Sequence, residues 1–276
     1  MATNETEYHI KKVNTSGINE ALDILATEEP LEIKLKYYSD NIWNEKAISV
    51  TMRTPGNDLS LAVGFLYTEG IISNFEHIKS AEHLPYSDDN IIKVELDEEV
   101  NLNLEKLNRH FYTTSSCGVC GKSSIAAIKT VCNISTRNDA FTVNTKTIYT
   151  LPDTLRAKQE IFEHTGGLHA SALFDTSGNM LMLREDVGRH NALDKLIGAA
   201  LEKGLLPLDN HILLLSGRAS FELIQKAAMA GIKMVAAVGA PSSLAVQTAA
   251  EMDITLIGFL RGERFNIYTH AERVNI

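Results

Sequence analysis

The chain has 276 residues, with 35 acidic and 26 basic side chains, a net charge of −9 and three cysteines. A chain of this length can bury a large core without disulfide bonds, and an odd number of cysteines argues against a secreted disulfide scaffold. The negative charge disfavours duplex nucleic acid as a partner, because that binding depends on neutralising phosphates.

Neither end of the sequence nor its interior resembles a membrane segment. The start, MATNETEYHIKKVN, has no apolar run behind a basic one, and no later apolar run approaches the length of a span. We therefore expect a cytoplasmic protein with neither a membrane nor a nucleic-acid partner.

The first part of the chain mixes strand-like alternation with one helix. Apolar alternation predicts three strands, over 31–38, 46–54 and 90–98. Between the last two, residues 55–70 have one apolar helical face, with Asn57 or Asp58 as the N-cap and Gly70 as the stop. These elements predict a small N-terminal α/β domain over residues 1–112.

The last part, residues 141–276, has a more regular pattern. Residues 170–174 and 179–185 flank the turn sequence DTSG and predict a hairpin, which a helix over 192–204 follows. Apolar strands (HILLL, IKMVAAVG and ITLIGFL) then alternate with helices (FELIQKAAMAG and LAVQTAAEMD). This alternation predicts parallel strands in a sheet covered on both faces.

Glycines, small hydroxyl side chains and arginines follow these strands. They occur in four loops, at 185–190, 216–220, 240–243 and 261–264. Ligands of such sheets bind beyond the carboxyl ends of the strands, and the arginine fork suits a phosphate or a guanine edge. The loops predict a site for a phosphorylated or nucleotide-like molecule, unless these arginines only cap helices or form surface ion pairs.

Two cysteines, Cys117 and Cys120, lie in the polar, glycine-containing stretch SSCGVCGKSS, within a predicted flexible loop and helix over 113–140. No second pair with metal-ligand spacing accompanies them, so we expect no zinc. Lys122 favours the thiolate form, and a mobile thiolate with a thiol neighbour suits a persulfide carrier. The alternative is a pair of ordinary loop cysteines.

Six long motifs, in order, resemble those of the formate dehydrogenase accessory sulfurtransferase family, FdhD. They are RTPGNDLSLAVGFLYTEGII (53–72), SSCGVCGKSS (115–124), HTGGLHASALF (164–174), REDVGRHNALDK (184–195), SGRASFELIQKA (216–227) and GFLRGERFNIYT (258–269). The resemblance implies a C-terminal cytidine-deaminase-like three-layer α/β/α domain with a mixed sheet, beside the smaller N-terminal domain. The glutamate and cysteines of a deaminase zinc site are absent from the corresponding loops, so neither catalytic zinc nor deamination is expected.

The resemblance also implies a function: sulfur from a cysteine desulfurase is carried as a persulfide to the molybdenum cofactor, a bis(molybdopterin guanine dinucleotide), that formate dehydrogenase requires. Cys117 matches the persulfide position and Cys120 the second thiol. The stretch matching the cofactor-binding residues is Phe259, Leu260, Arg261, Gly262, Glu263 and Arg264. Arg189 and Arg218 belong to the predicted arginine loops, and His190 is either a cofactor contact or a helix-start residue.

Two other functions remain open from the sequence. One is a non-catalytic chaperone that binds the molybdenum cofactor, and the other is a dithiol oxidoreductase that cycles Cys117 and Cys120. The resemblance further implies a homodimer, without indicating its interface.

Overall fold

The computed structural model describes residues 3–85, 90–100, 102 and 141–276. The strands are β1 (Glu5–Asn14), β2 (Gly17–Ala26), β3 (Glu29–Ser39), β4 (Ile42–Arg53), β5 (Ile78–His83), β6 (Ile91–Leu96), β7 (Val143–Asn144), β8 (His169–Phe174), β9 (Met180–Asp186), β10 (Ile212–Leu215), β11 (Met234–Ala237), β12 (Thr255–Arg261), β13 (Arg264–Thr269) and β14 (Val274–Asn275). The helices are α1 (Asp58–Thr68), α2 (Thr145–Arg156), α3 (Glu160–Thr165), α4 (Arg189–Glu202), α5 (Phe221–Met229) and α6 (Ser243–Glu251). Within these ranges, no helix is both long and apolar enough to cross a membrane.

The N-terminal part contains a hairpin and a four-stranded sheet. Strands β1 and β2 pair only with each other in the described structure, whereas the second sheet has the order β4-β3-β6-β5. Alternate side chains of β3 are buried, from Leu31 to Tyr37, as the sequence pattern predicts. The β1–β2 hairpin was not predicted, because most of its side chains are exposed and no buried face imposes alternation.

The C-terminal part is built on a six-stranded sheet in the order β13-β12-β11-β10-β8-β9. Strands β10, β11 and β12 are parallel, whereas β8, β9 and β13 extend the sheet through antiparallel pairs. The predicted β8–β9 hairpin and the mixed sheet are confirmed. A sheet that is parallel throughout, as the helix–strand alternation alone suggests, is wrong, because hairpins add strands at both sides.

Helices lie on both faces of this sheet. Leu213 and Leu215 of β10 face a core that includes α1, α4, α5 and α6, whereas Ile212 and Leu214 face a second core that includes α2. Buried strands with both faces covered read as continuous apolar runs, which explains the sequence HILLL. The closer likeness to cytidine deaminases stays a prediction.

Helix α1 joins the N-terminal part to the C-terminal part by packing against α4. The two helices cross at glycines: a Cβ atom on Gly64 would lie 2.9 Å from the Gly198 nitrogen, and one on Gly198 would lie 2.8 Å from the Gly64 nitrogen. Only the absence of side chains allows the backbones to approach so closely. The predicted boundaries at 112 and 140 lie outside the described residues and stay predictions.

The carboxyl edge of the six-stranded sheet

The parallel strands β10, β11 and β12 end at one edge of the sheet, which we call the carboxyl edge. Because β8 runs antiparallel to β10, its first residue, His169, lies at this edge. His169 in turn pairs with Asp186, the last residue of β9. The edge therefore gathers segments from five strands of the sheet.

Three glycines bring neighbouring loops of the carboxyl edge into backbone contact. The Gly239 N–H donates to the Gly217 carbonyl oxygen at 2.9 Å, and the Phe259 N–H donates to the Gly239 carbonyl oxygen at 3.0 Å. A Cβ atom on Gly239 would lie 2.9 Å from the Gly217 oxygen, and one on Gly258 would lie 2.8 Å from the Pro241 ring. Side chains at these positions would push the loops apart.

Phe259 adopts a backbone conformation that is rare for a bulky residue. Its φ angle is 55°, in the left-handed region, and 43% of its surface is exposed. It lies within an irregularity of the β12–β13 pairing between Gly258 and Arg261. Strained backbone of this kind concentrates at functional sites, so this geometry makes Phe259 a candidate site residue.

Helices α4, α5 and α6 all begin at the carboxyl edge. The N-cap of α4 is Gly188, which has no side chain, and the side chain of Ser220 makes no capping hydrogen bond to α5. Ser242 caps α6 by accepting a hydrogen bond from the Ala245 N–H at 3.2 Å. Helix N-termini attract anions through their N–H groups and dipoles, so converging helix starts favour a phosphorylated ligand.

His169, Arg189, His190 and Glu222 determine the local charge. Burial lowers the pKa of His169, and the positive groups Arg189 and His190 lower it further. Burial disfavours ionised Glu222, but His190 and backbone N–H groups outweigh it and lower the pKa of Glu222 to about 2. The separation of 3.8 Å between His190 Nε2 and Glu222 Oε2 makes this attraction chiefly electrostatic. The edge therefore places an ionised carboxylate beside the imidazole of His190.

A buried polar network holds the start of α4. Lys195 Nζ lies 2.7 Å from Asp186 Oδ2 and donates to the Thr54 carbonyl oxygen at 2.8 Å. Asp186 also accepts hydrogen bonds from the Gly188 N–H at 2.8 Å and from Asn191 Nδ2 at 3.1 Å. Burial raises the pKa of Asp186, and Lys195 opposes that change. The network fixes the loop that presents Arg189 and His190.

The structure brings some predicted site residues together and separates others. Arg189, His190, Arg218 and Phe259 belong to segments of the carboxyl edge, and His190 is the second residue of α4, as one of its two interpretations required. Arg261, Gly262, Glu263 and Arg264 form an exposed hairpin turn beyond Phe259, with Arg261 opposite Arg264. Leu260 is fully buried, so none of its surface is open to a ligand. Cys117 and Cys120 lie outside the described residues.

Sequence reasoning missed several residues of this edge. Glu222 gave no signal, because an acidic residue in the first turn of a helix is ordinary. Gly239 and Gly258 could have been found from the sequence, since a glycine at or within a buried strand indicates a close backbone approach. The Thr54–Lys195 contact joins residues 141 positions apart, which no local pattern reveals.

A second cluster with metal-ligand atoms lies before β12 and after β13. Asp253, His270 and Glu272 each have a donor atom within 4.8 Å of the others. Lys233 and Arg273 both bind Asp253 at 2.7 Å, and despite some burial they lower its pKa to about 2. Two cations thus already neutralise the only carboxylate of the cluster that is partly buried, and this arrangement stabilises the chain end.

The fold and this edge define an α/β protein with a glycine-lined, arginine-bearing edge suited to an anionic ligand. The profile of the FdhD/NarQ family matches residues 26–275, and the chain belongs to that family. It is 49% identical over 258 residues to a sulfur carrier protein FdhD from Mycolicibacterium paratuberculosis, covering 91% of this chain and 92% of that one. It is 46% identical over 270 residues to the protein of the same name from Streptomyces coelicolor, covering 95% and 93%.

A solved structure shows the same fold. The crystal structure of a protein from Desulfotalea psychrophila, provisionally assigned as a formate dehydrogenase accessory protein, matches with a TM-score of 0.76 at 23% identity. The match covers 99% of this chain and all of that one. The predicted family is therefore confirmed.

Proposed function

We propose that this protein is a sulfur carrier that takes sulfur from a cysteine desulfurase and delivers it to the molybdenum cofactor, a bis(molybdopterin guanine dinucleotide), of formate dehydrogenase. The observation that carries the proposal is the membership in the FdhD/NarQ family, whose relatives with 46–49% identity are named sulfur carrier proteins. The carboxyl edge supports it, because converging helix starts and arginines suit the phosphates of a dinucleotide.

Cys117 is the sulfur acceptor in this proposal. Its thiolate attacks the outer sulfur of the desulfurase persulfide, a new S–S bond forms on Cys117, and the donor cysteine leaves as a thiolate. The neighbouring Cys120 thiolate can then attack the inner sulfur of that persulfide, which expels hydrosulfide and leaves a Cys117–Cys120 disulfide. The thiol pair supplies the two electrons, and an external thiol reductant restores it.

The residues of the carboxyl edge orient the cofactor that accepts the sulfur and do not themselves react. N–H groups at the starts of α4 and α5 bind phosphate oxygens, and Arg218 adds a charge-assisted contact. Phe259 offers an exposed ring on which a guanine base can stack. Holding the acceptor in one orientation is the main contribution a carrier makes to transfer, because it replaces a random encounter with a defined one.

The sulfur-carrier proposal is tested by intact mass after incubation with a cysteine desulfurase and cysteine. The native protein gains sulfur, Cys117→Ala does not, and Cys120→Ala still does, because only Cys117 accepts the sulfur. Loss of the adduct on reduction with a thiol identifies it as a persulfide. A native protein that gains no sulfur contradicts the carrier role and favours a cofactor chaperone. A Cys117–Cys120 disulfide formed without any persulfide favours a dithiol oxidoreductase.

The ligand part of the proposal is tested separately by titrating the native protein with guanosine diphosphate. In this proposal Arg261, in the exposed hairpin turn, adds a further charge-assisted contact to a phosphate. Arg261→Glu removes and reverses that contact and weakens binding by about a hundredfold. The matched control is Lys146→Glu, which changes the net charge equally at the exposed start of α2 and leaves binding unchanged. Equal effects of the two variants would remove the hairpin turn from the site.

A further inference from the structure

His169, the first residue of β8, has an imidazole ring without a partner in the part of the chain that the structure describes. The ring is half-buried, and it makes neither a hydrogen bond nor an ion pair with those residues. A Cβ atom on Gly217, in the loop before α5, would lie 3.3 Å from His169 Nδ1 and 3.4 Å from Cε1. Buried polar groups usually have a hydrogen-bond partner, so this ring can serve a ligand of the carboxyl edge.

Three charged groups act on the His169 ring from the elements packed against it. Burial lowers the pKa of His169 most, and Arg189 and His190 at the start of α4 lower it further. Asp186, which is opposite His169 on β9, raises it. However, Asp186 Oδ2 already lies 2.7 Å from Lys195 Nζ. The folded protein therefore keeps His169 neutral at neutral pH, between cationic neighbours.

The other elements beside His169 add no charge to its ring. Strand β10, which pairs with β8, has only the apolar residues Ile212–Leu215. In the loop before α5, Gly217 has no side chain and the Arg218 side chain is exposed. The ring thus lacks an anion of its own within the described structure.

His190, the second imidazole of the carboxyl edge, already has such an anion. His190 Nε2 lies 3.8 Å from Glu222 Oε2, and Glu222 is ionised because its pKa is lowered to about 2. The two imidazoles therefore have different electrostatic surroundings. Only His169 depends on a ligand for a negative charge beside it.

A phosphate that binds at the carboxyl edge would reverse the balance of charge at His169. It offsets the repulsion by Arg189 and adds an attraction of its own, so the protonated imidazole becomes the favoured form. A protonated imidazole also donates a stronger hydrogen bond to a phosphate oxygen than a neutral one does. Protonation and anion binding therefore promote each other to the same extent.

We propose that His169 takes up a proton from solvent when a phosphate group binds at the carboxyl edge, and that this makes ligand binding tighter at lower pH. His169 acts as a positioning residue and does not react. The proposal rests on the ligand part of the proposed function and not on the sulfur transfer. The added affinity is complete below the pKa of His169 in the free protein and is lost as the pH rises through its higher pKa in the complex.

The proposal is tested by calorimetric titration with guanosine diphosphate between pH 6 and pH 8, in two buffers that differ in ionisation enthalpy. The native protein takes up as much as one proton per bound ligand, and its affinity rises about threefold to tenfold for each unit of pH lost. The terminal phosphate of the nucleotide itself titrates near pH 6. Displacement of the nucleotide by sulfate, which stays ionised, therefore isolates the proton that the protein takes up.

Three variants assign the proton to one residue. His169→Gln can donate a hydrogen bond but cannot become charged, so sulfate affinity no longer changes with pH. His169→Lys has a permanent charge, so sulfate binding stays tight up to pH 8. The matched control is His211→Gln: His211 precedes β10 at the opposite edge of the sheet, its ring is also half-buried, and burial also lowers its pKa. This control leaves the proton uptake unchanged.

Thermal unfolding first establishes that each variant is folded. Proton uptake that persists in His169→Gln, or that is lost in His211→Gln, would overturn the proposal and leave anion binding at the carboxyl edge intact. A native protein that binds neither guanosine diphosphate nor sulfate at any pH would contradict the ligand part of the proposed function, and this proposal with it. The two failures are therefore distinguishable.

Discussion

The carboxyl edge and the α1–α4 junction use the same kinds of residue for opposite purposes. At the junction, glycines bring two helices together, and the buried charge of Lys195 on α4 is bonded within the chain, to the Thr54 carbonyl oxygen just before α1 and to Asp186 at the end of β9. At the carboxyl edge, glycines bring loops together while Arg218 and Arg261 stay exposed. Closely packed backbone thus stabilises the fold in one region and presents charge to solvent in the other. Substitutions should therefore reduce stability at the junction and ligand binding at the edge.

The largest expected effect is at the buried pair of the junction. Lys195→Met leaves the buried Asp186 carboxyl without its cation, so an unpaired charge or the uptake of a proton must be accommodated, which lowers the free energy of unfolding by about 3–5 kcal/mol. Urea denaturation measures the change. The control Lys36→Met breaks a partly exposed pair with Glu95 and costs less than about 1 kcal/mol. If Lys195→Met cost no more than the control, the buried pair would not hold the two parts together.

The next effect is at the helix crossing. Gly64→Ala places a methyl group against the backbone of Asp194 and Gly198, so α1 and α4 must separate, at a cost of about 2–3 kcal/mol. Gly167→Ala is the matched control, since its Cβ would lie 3.7 Å from the nearest atom, an ordinary contact. Thermal unfolding of the two variants should differ by several degrees. If the two variants had the same transition temperature, the helix crossing would accommodate the methyl group without loss of stability.

A smaller effect distinguishes strain at the edge from ordinary packing. Phe259→Gly relieves a left-handed backbone, which offsets the lost ring contacts and keeps the free energy of unfolding within about 1 kcal/mol of native. Guanosine diphosphate binding falls about tenfold if the ring stacks on the base. Phe265→Gly, in β13, loses its contact with Tyr149 and costs about 2–3 kcal/mol instead. A large stability loss in Phe259→Gly would show that its ring serves packing.

The smallest effect depends on pH. Because the pKa of His169 in the folded protein lies below its unfolded value of about 6.5, the folded state binds fewer protons. Its contribution to stability is complete above pH 6.5 and is lost as the pH falls through the folded pKa. Urea titrations between pH 8 and pH 5.5 should therefore show a shallower decline for His169→Gln than for the native protein, by less than about 1 kcal/mol. If the free energy of unfolding fell equally with pH in both proteins, the protonation of His169 would not be coupled to folding.

The limits of sequence-based prediction follow from particular elements. The strands β3, β4 and β6 could be predicted from apolar alternation. The β8–β9 hairpin could be predicted because two apolar runs flank the turn sequence DTSG. Helix α4 begins at Arg189, three residues before the predicted start at 192, because its first turn is held by the Asp186 network and not by an apolar face. The hairpin of β1 and β2 has no buried face and left no such pattern.

The sequence by itself determined the family, the α/β class and the loops that meet at the carboxyl edge, because apolar periodicity and local motifs depend only on residues close together in the chain. Only the tertiary structure decided that Phe259 lies at this edge in a strained backbone conformation and that Leu260 is buried. Distances between residues far apart in the chain depend on how the two sheets and their helices pack, and no local pattern encodes that packing.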